Sequence, residues 1–415
     1  MCLKSINLYS QKIMRKINKA KVLNVLILIF ATFPIIPNSL KGLPVILLFV
    51  GALFIFKKHK FNWKWLLINS SLFIVYAISV LYTNDHSVAF KKLETGLSIL
   101  VIPITFFGLL THFKVSNNLK QLFIKIFIVS TTLFSILSSL YIIFYNSSLN
   151  YIWSTDKYRN IIIEMPLIGQ HPIYASIFLA ISIIFFFYLF KQKLFKNYKE
   201  ILLFLTLVLI NLVLLLFLSS KGVILALCII IFFLFILTNS KKTHKYLTII
   251  TFIFSLIFLF IYNRRMNELV SAQTYEEFNP TLSTSVRLGI YDCSWTIITK
   301  QLFTGYGVGD AQRELNLCYA NKSDLLLMHR YNSHNQYLDI IIKTGLVGLF
   351  IFLGFLLINF RHAIKNRNHL LVMILILYCI LFLVENVLSR QSGVILFFFL
   401  ICFFNNPERP LVKSI

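Results

Sequence analysis

Long apolar stretches separated by short polar ones make up most of the chain after about residue 20. Apolar stretches of roughly 15 to 25 residues are long enough to cross a bilayer as helices. We place such stretches around residues 29, 49, 73, 102, 133, 181, 210, 230, 254, 348, 377 and 397. The pattern predicts an all-α polytopic membrane protein, a single domain over residues 1–415 with about twelve transmembrane helices.

The apolar stretch from Ile201 to Leu237 is too long to be one span. As a single helix it would measure about 55 Å, nearly twice the thickness of the hydrocarbon core. Its polar interruption reads SSKG, at residues 219–222. We predict a tight outward turn there, with Lys221 at the outer membrane edge. Two interpretations of Lys221 stay open, a ligand-binding cation or a lysine that snorkels to the lipid headgroups.

The positions of the basic residues orient these predicted spans. An even number of spans puts both termini on one side, and the hydrophilic segments on that side hold 25 of the 40 Lys and Arg residues. By the positive-inside rule this side is the cytoplasm, so the net charge of +25 needs no nucleic acid partner. We interpret the basic start as the flank of an uncleaved first span. The inner segments are 2–21, 57–64, 111–125, 191–199, 240–246, 361–369 and 405–415.

The longest hydrophilic segment, residues 263–333, is predicted to be a periplasmic loop between spans nine and ten. A loop of this length suggests a function. Within it, residues 283–302 show a rough helical period and predict an interfacial helix with Trp295 in the headgroup layer. The GYGVG run at 305–309 is predicted to be a turn, because it lacks the strand and lysine of a phosphate-binding loop. The periodic apolar residues are Val286, Ile290, Trp295, Ile298 and Leu302.

Two of the six cysteines, Cys293 and Cys318, share this outer loop. In an oxidising compartment they would form a disulfide, and two free thiols are the equal alternative. The chain carries no paired Cys/His spacing, HExxH or Asp-x-Asp motif. We therefore predict neither a metal site nor a cofactor.

Six chemically distinctive residues fall at one depth on the outer side, although different spans carry them. Cations at the membrane edge suggest a ligand pathway and suit an anionic group such as a lipid-linked pyrophosphate. Arg287 offers a bidentate fork for phosphate oxygens, and a neutral His334 has the chemistry to deprotonate an acceptor hydroxyl. A structural, hydrogen-bonding role for His334 is the alternative. The six residues are His171, Lys221, Arg287, His334, Glu385 and Arg390.

We take His334 and Arg287 as the catalytic candidates. The substrate-binding candidates are Lys221, His171, Asn335, Gln336, Glu385 and Arg390. Nearby, Asp339 and Lys343 lie four residues apart on one predicted helix and suit a structural ion pair. Gly345 and Gly348 are predicted to let span ten approach another helix closely.

Several of these motifs together resemble the O-antigen ligase and O-antigen polymerase superfamily of bacterial membrane proteins. They are a serine-basic-glycine turn, a loop arginine in SVRL, a TGYGVG run and an SHNQYL block before TGLVG. The resemblance covers residues 201–359. The turn carries Lys221, where the family usually has arginine.

The resemblance implies glycan transfer at the outer face of the bacterial inner membrane, without a metal and with inversion at the anomeric carbon. The donor would be a polysaccharide on undecaprenyl diphosphate, and in the ligases the acceptor is a lipid A core sugar. It implies that His334 is the base and that Arg287 and Lys221 engage the diphosphate. A polymerase that joins lipid-linked repeat units is the alternative within the class. A transporter or flippase of lipid-linked sugars is a third hypothesis, although the sequence shows no internal repeat.

Overall fold

The computed structural model of the protein describes residues 19–56, 61–145, 155–238 and 278–406. The regular elements in these ranges are helices. We number the α-helices in chain order: α1 (19–31), α2 (Leu43–Ile55), α3 (Trp63–Ser79), α4 (His86–Gly96), α5 (Ser98–Pro103), α6 (Asn117–Tyr145), α7 (Thr155–Glu164), α8 (Pro172–Lys191), α9 (Tyr198–Leu218), α10 (Lys221–Thr238), α11 (Ser283–Lys300), α12 (Gly307–Ala320), α13 (Asp324–His329), α14 (Gln336–Lys365), α15 (His369–Phe382) and α16 (Gln391–Asn405).

Seven helical segments in the described part of the chain are long and apolar enough to cross a membrane. They are Asn38–Ile55, Trp63–Tyr82, His86–Leu109, Asn117–Tyr145, Pro172–Lys191, Tyr198–Leu218 and Gln336–Lys365. Three shorter apolar helices lie at further predicted centres: Lys221–Leu234, His369–Phe382 and Gln391–Asn405. Helix α1 lies at the first predicted centre, and the centre near residue 254 falls outside the described residues. The all-α polytopic architecture is confirmed, whereas the number twelve stays a prediction.

Helix α8 lies inside the bundle and packs against α6, α9, α10 and α15. Of its 20 residues, 16 are buried. A helix that is apolar on every side is expected in such a central position. Ser182 of α8 accepts a hydrogen bond from Asn211 Nδ2 of α9 at 3.1 Å. By contrast, α9 exposes Leu202, Leu203 and Val213 on its outer side, as suits a lipid-facing helix.

The long apolar stretch after Ile201 is interrupted where the sequence predicts it. Helix α9 ends at Leu218, Ser219 adopts a left-handed conformation with φ of 45°, and α10 begins at Lys221. Gly222 brings this turn against the end of α15, because a Cβ atom there would lie 2.4 Å from Val384 Cγ2. The turn therefore contacts the segment that joins α15 to α16.

The loop before α14 folds around a core of its own. Helices α11 to α13 and the first turns of α14 bury apolar side chains together, including Val286, Ile290 and Ile298 of the predicted stripe. Cys293 and Cys318 form a disulfide that joins α11 to α12, with their Cα atoms 5.7 Å apart. The apolar stripe thus packs against protein. Trp295 lies outside this core with an exposed fraction of 59%, and its place in the headgroup layer stays a prediction.

The glycine run after α11 docks the loop on the transmembrane bundle. It is a turn only as far as Tyr306, since α12 begins at Gly307. A Cβ atom at Gly309 would lie 2.2 Å from Asp85 O, in the turn between α3 and α4. The Asp310 carboxylate accepts hydrogen bonds from Thr83 Oγ1 and Asp85 N, both at 3.2 Å. Small residues here permit this close contact between the loop and the bundle.

Helix α14 is kinked at Gly345, whose φ and ψ are 65° and −167°. The segment after α11 passes through the kink, where Leu346 N donates to Leu302 O at 2.9 Å and Tyr306 N donates to Ile342 O at 2.8 Å. These bonds satisfy backbone groups that the broken helix cannot pair internally. Gly348 faces α3, since a Cβ atom there would lie 3.3 Å from Val75 Cγ1. Both glycines thus lie at close helix contacts, as the sequence predicts.

Segments that the sequence places on one side of the membrane meet at one end of the bundle. At the end predicted to face outward, Asn38 Nδ2 donates to Gly169 O. At the opposite end, Asn368 Nδ2 donates to Phe404 O at 2.8 Å. These contacts agree with the predicted alternation of the described spans.

Candidate active site

Lys221 lies at the start of α10 and is buried, with an exposed fraction of 7%. Its Nζ atom donates hydrogen bonds to Ser283 Oγ at 3.2 Å and to Thr284 Oγ1 at 3.0 Å. Both acceptors are in the first turn of α11. The lysine therefore joins the α9–α10 turn to the helix that carries Arg287.

Glu385 brings the two predicted catalytic residues together. It lies in the turn between α15 and α16 with its side chain 8% exposed. His334 Nδ1 lies 3.2 Å from Glu385 Oε2, and Arg287 Nη2 lies 3.6 Å from the same oxygen. Three segments far apart in sequence thus meet at one carboxylate. The His334 and Arg287 side chains keep exposed fractions of 20% and 26%, so both reach the surface of the site.

The backbone around His334 is held in an unusual conformation. His334 has a left-handed φ of 44°, and its amide donates to Asn332 Oδ1 at 3.0 Å. The Tyr291 hydroxyl lies 3.1 Å from His334 O and donates to it. Left-handed backbone is uncommon for residues other than glycine and costs free energy. The surrounding hydrogen bonds compensate for this cost and direct the imidazole toward Glu385.

The charged form of Glu385 is favoured by its neighbours. Burial by itself raises the pKa of this carboxyl group, but the hydrogen bond from His334 and the positive charge of Arg287 outweigh it. The pKa is therefore lowered from its ordinary value. At neutral pH Glu385 is an ionised acceptor buried between an imidazole and a guanidinium.

His171 and Arg390 lie beside this centre. The His171 Nδ1 atom is buried and makes no hydrogen bond within the described part of the chain. Burial, and next the positive charge of Arg390, lower the pKa of His171 to about 4. Arg390 is exposed at the N-terminal end of α16. Both residues therefore belong to the surroundings of Glu385 without direct bonds to it.

The pKa of His171 predicts how stability depends on pH. Because the folded protein keeps this imidazole neutral, the unfolded chain binds the proton first once the pH falls below the ordinary value of about 6.5. Folded stability should therefore fall from about pH 6.5 down to about pH 4. Thermal unfolding in detergent should show this slope for the natural protein and a flatter one for His171→Gln. An exposed control, His329→Gln, should keep the natural slope, and equal slopes in all three proteins would contradict the expectation.

Asn335 and Gln336 are engaged within the protein. Asn335 caps α14, since its Oδ1 atom accepts from Tyr337 N at 2.9 Å and from Leu338 N at 3.1 Å. Gln336 is fully buried, and its Oε1 atom accepts from Leu388 N at 2.7 Å. These bonds fix the start of α14 against the α15–α16 turn. The sequence predicts substrate binding for both residues. Their hydrogen bonds within the protein instead favour a role in positioning the start of α14.

The predicted ion pair between Asp339 and Lys343 is present and buried. Gln336 Nε2 donates to Asp339 Oδ2 at 3.3 Å, which links the pair to the start of α14. Burial of this kind requires partners on both charges. The pair is therefore part of the framework of the first half of α14.

Two further residues of the candidate site, Arg159 and Tyr291, are not among those predicted from the sequence. Arg159 of α7 donates from Nη1 to Leu218 O at 2.6 Å and to Ser220 Oγ at 3.3 Å, directly beside Lys221. Tyr291 holds His334, as described above. The sequence did offer a reason to consider Arg159. It is a basic residue in a predicted outer segment, where lysine and arginine are sparse. Nothing in the sequence distinguished Tyr291, because aromatic residues are common throughout this chain.

A small cleft lies between α7, the α9–α10 turn, α11 and the segment that joins α15 to α16. Its lining residues include Arg159, Lys221, Arg287 and Glu385. Three cations and one carboxylate give it a net positive charge. Within the described residues, no group of three or more His, Cys, Asp or Glu side chains gathers in a way that would hold a metal ion. The cleft is therefore arranged for an anionic ligand.

The family model described as O-antigen ligase matches residues 205–353. The resemblance to the O-antigen ligase family is confirmed. The matched segment agrees closely with residues 201–359 and contains Lys221, Arg287 and His334. Glu385 lies beyond it, although it contacts two of these residues in space. No curated protein sequence matches the chain significantly.

Proposed function

We propose that the protein is an O-antigen ligase-type enzyme of the bacterial inner membrane. It transfers a polysaccharide from undecaprenyl diphosphate to a lipid A core sugar at the outer face, without a metal. The observation that carries the proposal is the contact of His334 and Arg287 with one buried carboxylate, Glu385, which lines a cationic cleft together with Arg287. The family match supports a membrane enzyme of the ligase and polymerase type.

The cations of the cleft hold the diphosphate of the donor in this proposal. Arg287 has a side chain 26% exposed and presents its guanidinium N–H groups to phosphate oxygens. Lys221 supplies a second positive charge from the α9–α10 turn, and Arg159 lies next to that turn. Positive charge at this position stabilises the diphosphate more as it leaves and gains negative charge.

His334 acts as the general base. Glu385 accepts a hydrogen bond from Nδ1–H in this proposal, which leaves the Nε2 lone pair to take the proton of the acceptor hydroxyl. The acceptor hydroxyl loses its proton to Nε2 while its oxygen bonds to the anomeric carbon. The bond from that carbon to the diphosphate oxygen breaks, and undecaprenyl diphosphate leaves with the electron pair. A single displacement of this kind inverts the anomeric centre.

The orientation in the membrane follows from the charges. The described parts of the basic segments, including Lys120 and Arg367, lie at the end of the bundle opposite His334. We propose that this end faces the periplasm and that both termini lie in the cytoplasm. The candidate site then faces the compartment in which lipid-linked glycan and lipid A core meet.

Glycan transfer by the purified protein tests the proposal. With a lipid-linked donor and a lipid A core acceptor, the natural protein should form a glycosidic bond in the presence of a metal chelator. Arg287→Ala should lower the rate by roughly 10²–10³-fold, the usual effect of removing one charge-stabilising donor. Arg361→Ala, an exposed arginine at the opposite end of α14, is the matched control and should retain the natural rate.

Two results would reject the enzyme hypothesis. One is the absence of any glycosidic product, and the other is an Arg287→Ala rate equal to that of Arg361→Ala. Movement of the donor across vesicle membranes without bond formation would instead support a transporter.

A deletion strain separates ligase from polymerase. A missing ligase should leave long chains on the lipid carrier and no polymer on the surface lipid. Surface lipid capped with single repeat units would instead show that the protein is a polymerase.

A further inference from the structure

A cavity of about 560 Å³ lies at the end of the bundle opposite His334. It is formed where the C-terminal ends of α8, α14 and α16 meet the N-terminal ends of α6 and α15. Cavities of roughly 300–1,000 Å³ commonly hold small ligands. The cavity shares no residue with the candidate active site.

The lining of this cavity is polar and basic. None of its 16 described lining residues is acidic, and several are amides. Among the basic ones, Lys120 is 8% exposed and donates from Nζ to Asn406 O at 3.4 Å. Arg367 and His369 also line the cavity and are exposed. This combination favours an anionic ligand.

One lining residue of the cavity also carries a buried hydrogen-bond acceptor. Asn405 is 7% exposed, and its Nδ2 atom donates to Asn359 Oδ1 at 3.0 Å. The Oδ1 atom of Asn405 is buried without a hydrogen bond to any described residue. A buried acceptor of this kind needs a donor. A ligand hydroxyl group that displaces the packing over this atom would supply one.

The N-terminal end of α15 faces the same space through Asn368, His369 and Leu370. Amide groups at the first turn of a helix favour negative charge. Asn368 caps this helix by accepting from Leu371 N at 3.1 Å. The helix end adds to the anion preference that the basic side chains establish.

We propose that this cavity binds a phosphate ester that carries hydroxyl groups, such as the headgroup of phosphatidylglycerol. Lys120, Arg367 and His369 face the phosphate oxygens, and Asn405 Oδ1 accepts from a glycerol hydroxyl. Of the 16 described lining residues, 13 belong to four of the segments assigned to the cytoplasmic side, 111–125, 191–199, 361–369 and 405–415. Anionic headgroups of the inner leaflet are found at that depth. The proposal does not depend on glycan transfer.

Native mass spectrometry of the full-length protein in detergent tests the site. Phosphatidylglycerol should bind about tenfold more tightly than phosphatidylcholine. Arg367→Asn should weaken phosphatidylglycerol binding about fivefold, the contribution of one cation. Asparagine suits this position because Arg367 has a left-handed φ of 53°. Arg361→Asn removes an exposed arginine of the same helix end that does not line the cavity, and it should bind like the natural protein.

Two further measurements distinguish a lipid headgroup from a free phosphate ester and test the role of Asn405. If soluble glycerol 3-phosphate binds with the same dependence on Arg367 and phosphatidylglycerol does not, the site takes a free phosphate ester. Asn405→Leu should reduce the preference for phosphatidylglycerol over phosphatidic acid, which lacks the headgroup hydroxyls. Equal binding of phosphatidylglycerol and phosphatidylcholine with no glycerol 3-phosphate binding, or equal loss in both arginine variants, would overturn the proposal.

Discussion

Replacing His334 by alanine is expected to lower the rate of glycan transfer by roughly 10²–10⁴-fold, the contribution of a general base. The variant removes the imidazole that lies 3.2 Å from Glu385. Donor binding should change little, because Arg287, Lys221 and the rest of the cleft remain. A rate assay with purified protein, analysed for kcat and KM separately, measures this effect.

The left-handed backbone at His334 requires a second variant. Alanine at φ of 44° is strained and has the potential to disturb the fold, whereas asparagine tolerates this conformation. His334→Asn should therefore fold normally and be as inactive as the alanine variant. His329→Ala, an exposed histidine of the same loop, should keep the natural rate. Full activity in His334→Asn would show that the imidazole is structural and not the base.

Gly345→Ala is expected to destabilise the protein by about 2–5 kcal/mol, the combined cost of left-handed backbone and overpacking. Its φ is 65°, and a Cβ atom there would lie 2.0 Å from Phe303 O. The segment after α11 would be forced out of the kink in α14, so the loop core and His334 would lose their support. Thermal unfolding in detergent and the yield of monodisperse protein measure the loss.

Gly354 offers a matched control within the same helix. A Cβ atom at Gly354 would meet no other atom within 4 Å. Gly354→Ala should therefore be neutral, or stabilise the helix by up to about 1 kcal/mol because alanine is the better helix former. If the two alanine variants unfolded at the same temperature, the kink would not be a site of close packing.

The hydrophobic pattern predicted most of the helical architecture because membrane helices depend on local composition. A helix must be apolar over a fixed length to cross the hydrocarbon core, and the sequence shows that length directly. The turn at Ser219 to Gly222 was predictable for the same reason, since a span cannot exceed the bilayer by twofold. The packing of the loop before α14 was harder to predict from the sequence. Its apolar stripe with Ile290 has the same period whether it faces lipid or, as observed, a protein core.

The sequence predicted the individual residues of the candidate site but not the contacts between them. His334, Arg287, Lys221 and Glu385 were all identified by their chemistry at the predicted outer membrane edge. The family resemblance then implied roles for the first three. That Glu385 contacts both His334 and Arg287 had no signal in the sequence, because these residues lie on three separate segments. For Asn335, the sequence pattern is the same whether the side chain caps α14 or binds substrate.

The sequence by itself determined the helical class, the predicted alternation of sides and the residue types at the outer membrane edge. Each of these follows from composition over a short stretch of chain, judged against the thickness and charge of a membrane. Only the tertiary structure decided which outer residues meet, that Cys293 pairs with Cys318 and that the glycine run docks on the α3–α4 turn. Those contacts depend on how helices pack side by side, and packing joins residues that the chain itself keeps far apart.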